Sequence, residues 1–157
     1  MLMQIQDYLT FENIYLWTNL GVLPFWLMLI IIPNSKFTQF FINSIILPLI
    51  LSTVYIYIIY QSILLEEPII DIFKLYLSLE DLYTLFATEN FLLLFWIHFV
   101  AINLFLGSWI SRDGVKYNMS RSLVFIPLIL VYFIGPFGLF LYWIIRVFYA
   151  KRLSFHD

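Results

Sequence analysis

His98 and Asn103 lie inside the apolar run TENFLLLFWIHFVAINLFLGSWI (residues 88–110), and Arg112 and Asp113 follow it directly. Histidine and aspartate both give and take protons, and a pair of them can perform general acid–base catalysis. An ionisable group at membrane depth is expensive unless it faces protein, so His98 is a functional candidate by position alone. The same histidine is equally compatible with a hydrogen bond to a carbonyl or hydroxyl on a neighbouring helix. Asn103 fits interhelical hydrogen bonding better than proton transfer, because a side-chain amide does not titrate. Arg112, Asp113 and Gly114 read as a turn at the membrane surface, either solvated or touching the polar end of a lipid-soluble molecule.

Metal chemistry is not expected, and no cofactor is implied. The chain has no cysteine, and its two histidines are His98 and His156. Thiolate sites, Fe–S clusters and multi-histidine iron centres all need more ligands than that. No Gly-rich phosphate loop or nucleophile elbow is present. The net charge is −2 and no run of basic residues forms a phosphate footprint, which excludes a nucleic-acid partner.

The elements that carry these side chains are membrane helices. Of 157 residues, 63% are hydrophobic and 11% charged, against about 25% charged in soluble domains. A bilayer span takes roughly 20 apolar residues, and lipid admits only backbones that satisfy their own polar groups. Four spans are expected, at about 13–32, 40–65, 88–110 and 122–149. Pro33-Asn34 stops the first, Glu66-Glu67-Pro68 the second, Arg112-Asp113-Gly114 the third, and Lys151-Arg152 follows the fourth. Between the second and third lies a connection holding Glu66, Glu67, Asp71, Glu80 and Asp81. There Ser78, with Asp81 three residues on, resembles a capping box. Leu79, Leu82, Tyr83 and Phe86 follow at helical spacing, which reads as a short amphipathic helix at the interface or as a solvated loop with one helical turn. The fold class is therefore all-α: a single integral membrane domain over 1–157, a bundle of four transmembrane helices with a short interfacial helix between the second and third. The N-terminus lacks a basic region and cleavage site, so the first span is expected to act as an uncleaved insertion signal.

Helical periodicity groups the polar residues. Trp96, Asn103 and Gly107 share one face of the third span, and His98, Phe105 and Trp109 nearly the opposite one. Pro136 should kink the fourth span near residues 132–136. Gly135, Tyr142 and Arg146 form one stripe there, and Arg146 is expected to snorkel to the interface. The first span aligns Asn19, Leu23 and Trp26; the second aligns Ser44, Ser52, Tyr55 and Ser62. Such stripes can line a narrow, mostly apolar cavity, which suits an elongated hydrophobic molecule better than an ion, because no ring of charges exists.

Four crossings would put both termini on one side. Lys74, Arg146, Lys151 and Arg152 would then oppose Lys36, Arg112, Lys116 and Arg121 across the membrane. The positive-inside rule counts only these residues and gives a tie, which the basic tail tips toward termini inside.

Short motifs add a resemblance. Thr18-Asn19 through Leu23-Pro24-Phe25-Trp26-Leu27-Met28, with Pro33 and Thr38, opens it. Leu79 through Phe86, Trp96-Ile97-His98-Phe99, Asn103 through Ile110 and Asp113 continue it. Arg121, Pro127 and Gly135-Pro136-Phe137-Gly138-Leu139 before Tyr142 close it. In order and spacing, over about residues 14–146, these resemble the plant neoxanthin synthase-type, abscisic-acid-deficient-four-like family, which also has bacterial and algal members. The resemblance implies a carotenoid or related isoprenoid ligand and a redox-neutral isomerisation, in which an acid helps open an epoxide and a base removes a proton from the polyene. The family pattern usually has Asp where this chain has Asn103, and often Arg where it has Ser108. If that Asp is an acid or base, Asn103 cannot replace it.

The combined reading is a membrane protein that binds and modifies a carotenoid or isoprenoid, set in a bacterial inner membrane. His98 and Asp113 are the catalytic candidates; Asn19, Trp26, Asn103, Trp109, Arg112, Arg121 and Tyr142 are the substrate-binding ones. The alternatives are a non-catalytic pigment- or lipid-binding subunit that assists another membrane enzyme, cleavage toward retinal, and a small transporter, against which the absence of an internal repeat argues. A chain this small leaves a homodimer or a membrane-enzyme partner open.

Overall fold

A computed structural model describes residues 9–42, 44, 46–64 and 76–151, and every regular element among them is helical. In chain order these are α1 (Phe11–Ile31), α2 (Lys36–Phe41), α3 (Ile46–Leu64), α4 (Leu79–Phe86), α5 (Glu89–Lys116) and α6 (Arg121–Ala150). Helices α1, α3, α5 and α6 are each long and apolar enough to cross a membrane. The protein is an all-α integral membrane protein. Glu66, Glu67, Asp71 and Lys74 of the acidic connection, and Arg152 and His156 of the tail, lie outside the described residues.

Three boundaries differ from the sequence reading, each for a local reason. The second span is expected from about residue 40, but residues 40–41 end a separate helix, α2, which otherwise occupies the expected connection. Ser35 caps it by accepting from the Thr38 N–H at 3.0 Å, and the Thr38 hydroxyl donates to the Ile32 carbonyl at 2.8 Å, tying α2 to the end of α1. Helix α3 then starts at Ile46, with Pro48 in its first turn, where a missing N–H is harmless. At the other connection Ser78 caps α4 as its spacing predicts, accepting from the Asp81 N–H at 3.3 Å. The third difference concerns Arg112-Asp113-Gly114, which are not a turn: α5 continues through them to Lys116. The Asp113 charge that made a turn plausible is neutralised from a distant part of the chain, as described below.

The chain comprises two compact units, residues 1–20 with 49–101, and residues 21–48 with 102–157. The first is centred on Ile14, Ile58, Leu93, Leu94 and Ile97. In the second, Trp26 of α1 lies over Gly107 of α5, where an added Cβ would come within 2.5 Å of its ring. The Ser111 hydroxyl donates to the Leu29 carbonyl at 3.4 Å. Trp26 and Leu29 thus meet Gly107 and Ser111 in the same chain order, so these parts of α1 and α5 run parallel.

Helix α6 reverses direction. Ile134 leaves the helical region at φ −141°, ψ 67°, and Gly135-Pro136 opens a new helical arm with proline in its first turn. In one unbroken helix, residues 124 and 146 would stand about 33 Å apart. Yet Val124 packs on Gly114, where a Cβ would come within 2.8 Å of it, and Arg146 bonds to the adjacent Asp113 at 2.7 Å. Gly138 meanwhile lies so close to the backbone of Leu130 and Val131 that a Cβ would overlap it. The break falls where Pro136 predicts one, but it is a fold-back of two arms, 121–133 and 135–150, rather than a kink.

Candidate functional site

The polar centre of the second unit is built where the returning arm of α6 meets the end of α5. Tyr117 follows the end of α5 one turn after Asp113, its N–H donating to the Asp113 carbonyl at 3.1 Å, and Tyr142 and Arg146 are one turn apart on α6, so each pair lies on one side. The Arg146 Nε donates to Asp113 Oδ2 at 2.7 Å, and the Tyr142 hydroxyl donates to the same oxygen at 2.7 Å. Arg146 Nη2 donates to the Tyr117 hydroxyl at 3.4 Å. The guanidinium lies 5.0–5.9 Å from the ring centroids of Trp143, Tyr117 and Trp109. Arg146 is 1% exposed, Tyr142 0% and Asp113 8%. The expectation that Arg146 snorkels is overturned: its partner is a carboxylate inside the protein, and a buried charge with a hydrogen-bonded counter-ion need not reach the interface. Asp113 likewise is neither a solvated turn residue nor a free surface acid.

A second feature lies in the same unit. Leu23, Trp26 and Ile30 of α1 and Phe125, Ile129 and Tyr132 of α6 line a groove of about 410 Å³ whose surface is entirely apolar. Trp26 and Tyr132 meet edge to face at 5.4 Å. At the turn of α6, Asn103 is 4% exposed and its amide presses directly on Gly135, while its Nδ2 has no hydrogen-bond partner among the described residues.

The structure brings together part of the residue set read from the sequence. Asp113, Trp109 and Tyr142 form one cluster, and Trp26 and Asn103 belong to the same unit. Arg112 and Arg121 are exposed. Asn19 belongs to the first unit, where its Oδ1 accepts from Trp96 Nε1 at 3.0 Å. His98 is in that unit too, on an exposed face and without a hydrogen-bond partner among the described residues. Arg146, Tyr117, Trp143 and Tyr132 were missed as site residues. The signal available was chemical: one carboxylate and one guanidinium in neighbouring apolar segments are each other's default partners.

The family model described as ABA DEFICIENT 4-like matches residues 13–142. The chain belongs to this family. All the site residues read from the sequence fall inside the matched region of this ABA DEFICIENT 4-like chain, and Arg146 lies just beyond it. The chain is also similar to the Arabidopsis thaliana protein ABA DEFICIENT 4, chloroplastic, at 26% identity over 115 residues. That match covers 68% of this chain and 52% of the relative, so the chain spans about half the length of the curated protein it matches. No solved structure matches the chain.

Proposed function

We propose that this protein binds a carotenoid or related isoprenoid and converts it by redox-neutral acid–base isomerisation. Family membership points to the ligand class. The observation that carries the reading is the coexistence, in one unit, of an apolar groove of about 410 Å³ with the buried Asp113–Tyr142–Arg146 cluster. An extended polyene gains by burying its whole length against aromatic and branched side chains, and its oxygen function needs a hydrogen-bonding partner in an otherwise apolar site. On this reading Trp26 and Tyr132 hold the chain of the ligand. Asp113 and Tyr142 then handle protons: Tyr142 gives one to the oxygen as its C–O bond opens, and Asp113 takes one from carbon, so atoms and electrons balance without a co-reactant. Arg146 positions Asp113 through its hydrogen bond to Oδ2. His98, on an exposed face of the other unit, is assigned no part in this step.

A second reading rests on Asn103: the family resemblance implies Asp at this position, and a side-chain amide cannot titrate. Loss of an acid there fits a non-catalytic pigment-binding subunit that assists another membrane enzyme.

The test is expression in hosts that accumulate a panel of carotenoids, with chromatography of both total and copurifying pigment. Conversion lost in Asp113→Asn and Tyr142→Phe but kept in His98→Ala supports the enzyme. Copurification without conversion, abolished by Ile129→Trp in the groove, supports the binding subunit. Neither product nor bound pigment overturns both readings.

A further inference from the structure

We propose that α6 enters and leaves the membrane by the same face, so that the chain crosses three times and the residues before α1 and after α6 lie on opposite sides. The geometry comes first. The two arms of α6 hold about 13 and 16 residues, roughly 20 and 24 Å of helix, whereas the hydrocarbon core is about 30 Å thick. Neither arm crosses, and the fold-back returns Arg146 to the level of Asp113, near the end of α5 from which α6 departs. The turn at Ile134 then lies within the membrane. Irregular backbone at that depth is tolerated only where protein covers it, and the Asn103 amide against Gly135 is such a cover.

The charges of the sequence support this topology independently. With α1, α3 and α5 as the three crossings, the connection after α1 and everything beyond α5 share one face. That face receives Lys36, Arg112, Lys116, Arg121, Arg146, Lys151 and Arg152, leaving only Lys74 of the eight basic residues opposite. The same division places every Asp and Glu except Asp113 and Asp157 on the opposite face. Four crossings give a four-to-four tie, whereas three crossings with a re-entrant hairpin give seven to one. Topogenic signals of Lys and Arg act within roughly 15–20 residues of the membrane ends, and an imbalance of this size sets orientation. The basic face is therefore the cytoplasmic one in a bacterial host, and the Asp113–Arg146 pair belongs to it.

The absence of native cysteine makes the test direct. Single variants Thr10→Cys, Glu80→Cys, Lys36→Cys and Lys151→Cys are expressed in full-length protein in bacterial membranes and exposed to a membrane-impermeant maleimide, in spheroplasts and in inverted vesicles. Arg152→Cys serves as a second reporter of the tail. The expected result is that Lys36→Cys and both tail variants label only in inverted vesicles, and that Thr10→Cys and Glu80→Cys label only in spheroplasts. Tail variants that label together with Thr10→Cys overturn the three-crossing topology. Labelling of Lys36→Cys and the tail from outside overturns the orientation. No pigment enters the assay, so its outcome is independent of the functional reading above.

Discussion

Arg146 and Asp113 are 33 residues apart in the chain, and their Nε–Oδ2 hydrogen bond is 2.7 Å long. They meet because α6 turns back at Ile134. This ion pair therefore reports on the tertiary fold, on the electrostatics of the candidate site and on the path of the chain through the membrane at once.

Removing one member of this pair leaves an uncompensated buried charge, which typically costs about 3–5 kcal/mol. Asp113→Leu and Arg146→Met should each lower the thermal midpoint in detergent sharply. The double variant should recover most of that loss, because an apolar pair has no desolvation penalty. Losses that simply add would mean that the two side chains do not depend on one another.

The arms of α6 touch backbone to backbone at Gly138. Gly138→Leu should destabilise by at least the roughly 1–3 kcal/mol of an overpacked core. Gly21 has nothing within 4 Å of its Cβ position. Gly21→Ala should therefore be neutral or stabilising by up to about 1 kcal/mol, since alanine is the better helix former. Equal effects in a melting assay would argue against the close approach at Gly138.

Asn103 and Gly135 compete for the same space. Gly135→Ala alone should destabilise, and combining it with Asn103→Ala should restore part of the loss, a coupling of about 0.5–3 kcal/mol in a double-mutant cycle. A coupling of zero would show that the amide does not sit on the turn.

Capping of α4 is a local matter. Ser78→Ala should cost about 1 kcal/mol of helix stability, seen as faster amide exchange across residues 79–86 with little change in the global melting midpoint. None of the residues of α4 is buried, and the ring contacts of α4 with α5 are those of Phe86 with Phe91 and Phe95 at its far end, so a large global effect would contradict a purely local cap.

What could be read from the sequence followed range of interaction. The apolar lengths of α1 and α5 and the Ser78 cap depend on neighbours within a turn or two, and they were legible. The separate α2 was not, because Lys36, Thr38 and Gln39 interrupt the apolar pattern there, while the Ser35 and Thr38 hydroxyls define a short helix of six residues. The continuation of α5 through Arg112-Asp113-Gly114 was hidden because the counter-charge for Asp113 comes from Arg146. The reversal of α6 was hidden for a related reason: hydropathy counts apolar residues without regard to direction, so 30 residues in two arms look like one span. Pro136 located the break but carried no information about its angle. Asp113, Trp109 and Tyr142 were recognised as candidates from type and position, whereas Arg146 was misread because its partner is non-local.

The most direct test of the account is the distance across the fold-back itself. Nitroxide labels on Ser122→Cys and Tyr149→Cys, near the two ends of α6, can be measured by pulsed electron–electron resonance in nanodiscs. The fold-back predicts a main distance under about 25 Å, against about 40 Å for an unbroken helix of that length. A distribution centred near the longer value would contradict the hairpin, and with it the Asp113–Arg146 centre and the three-crossing topology.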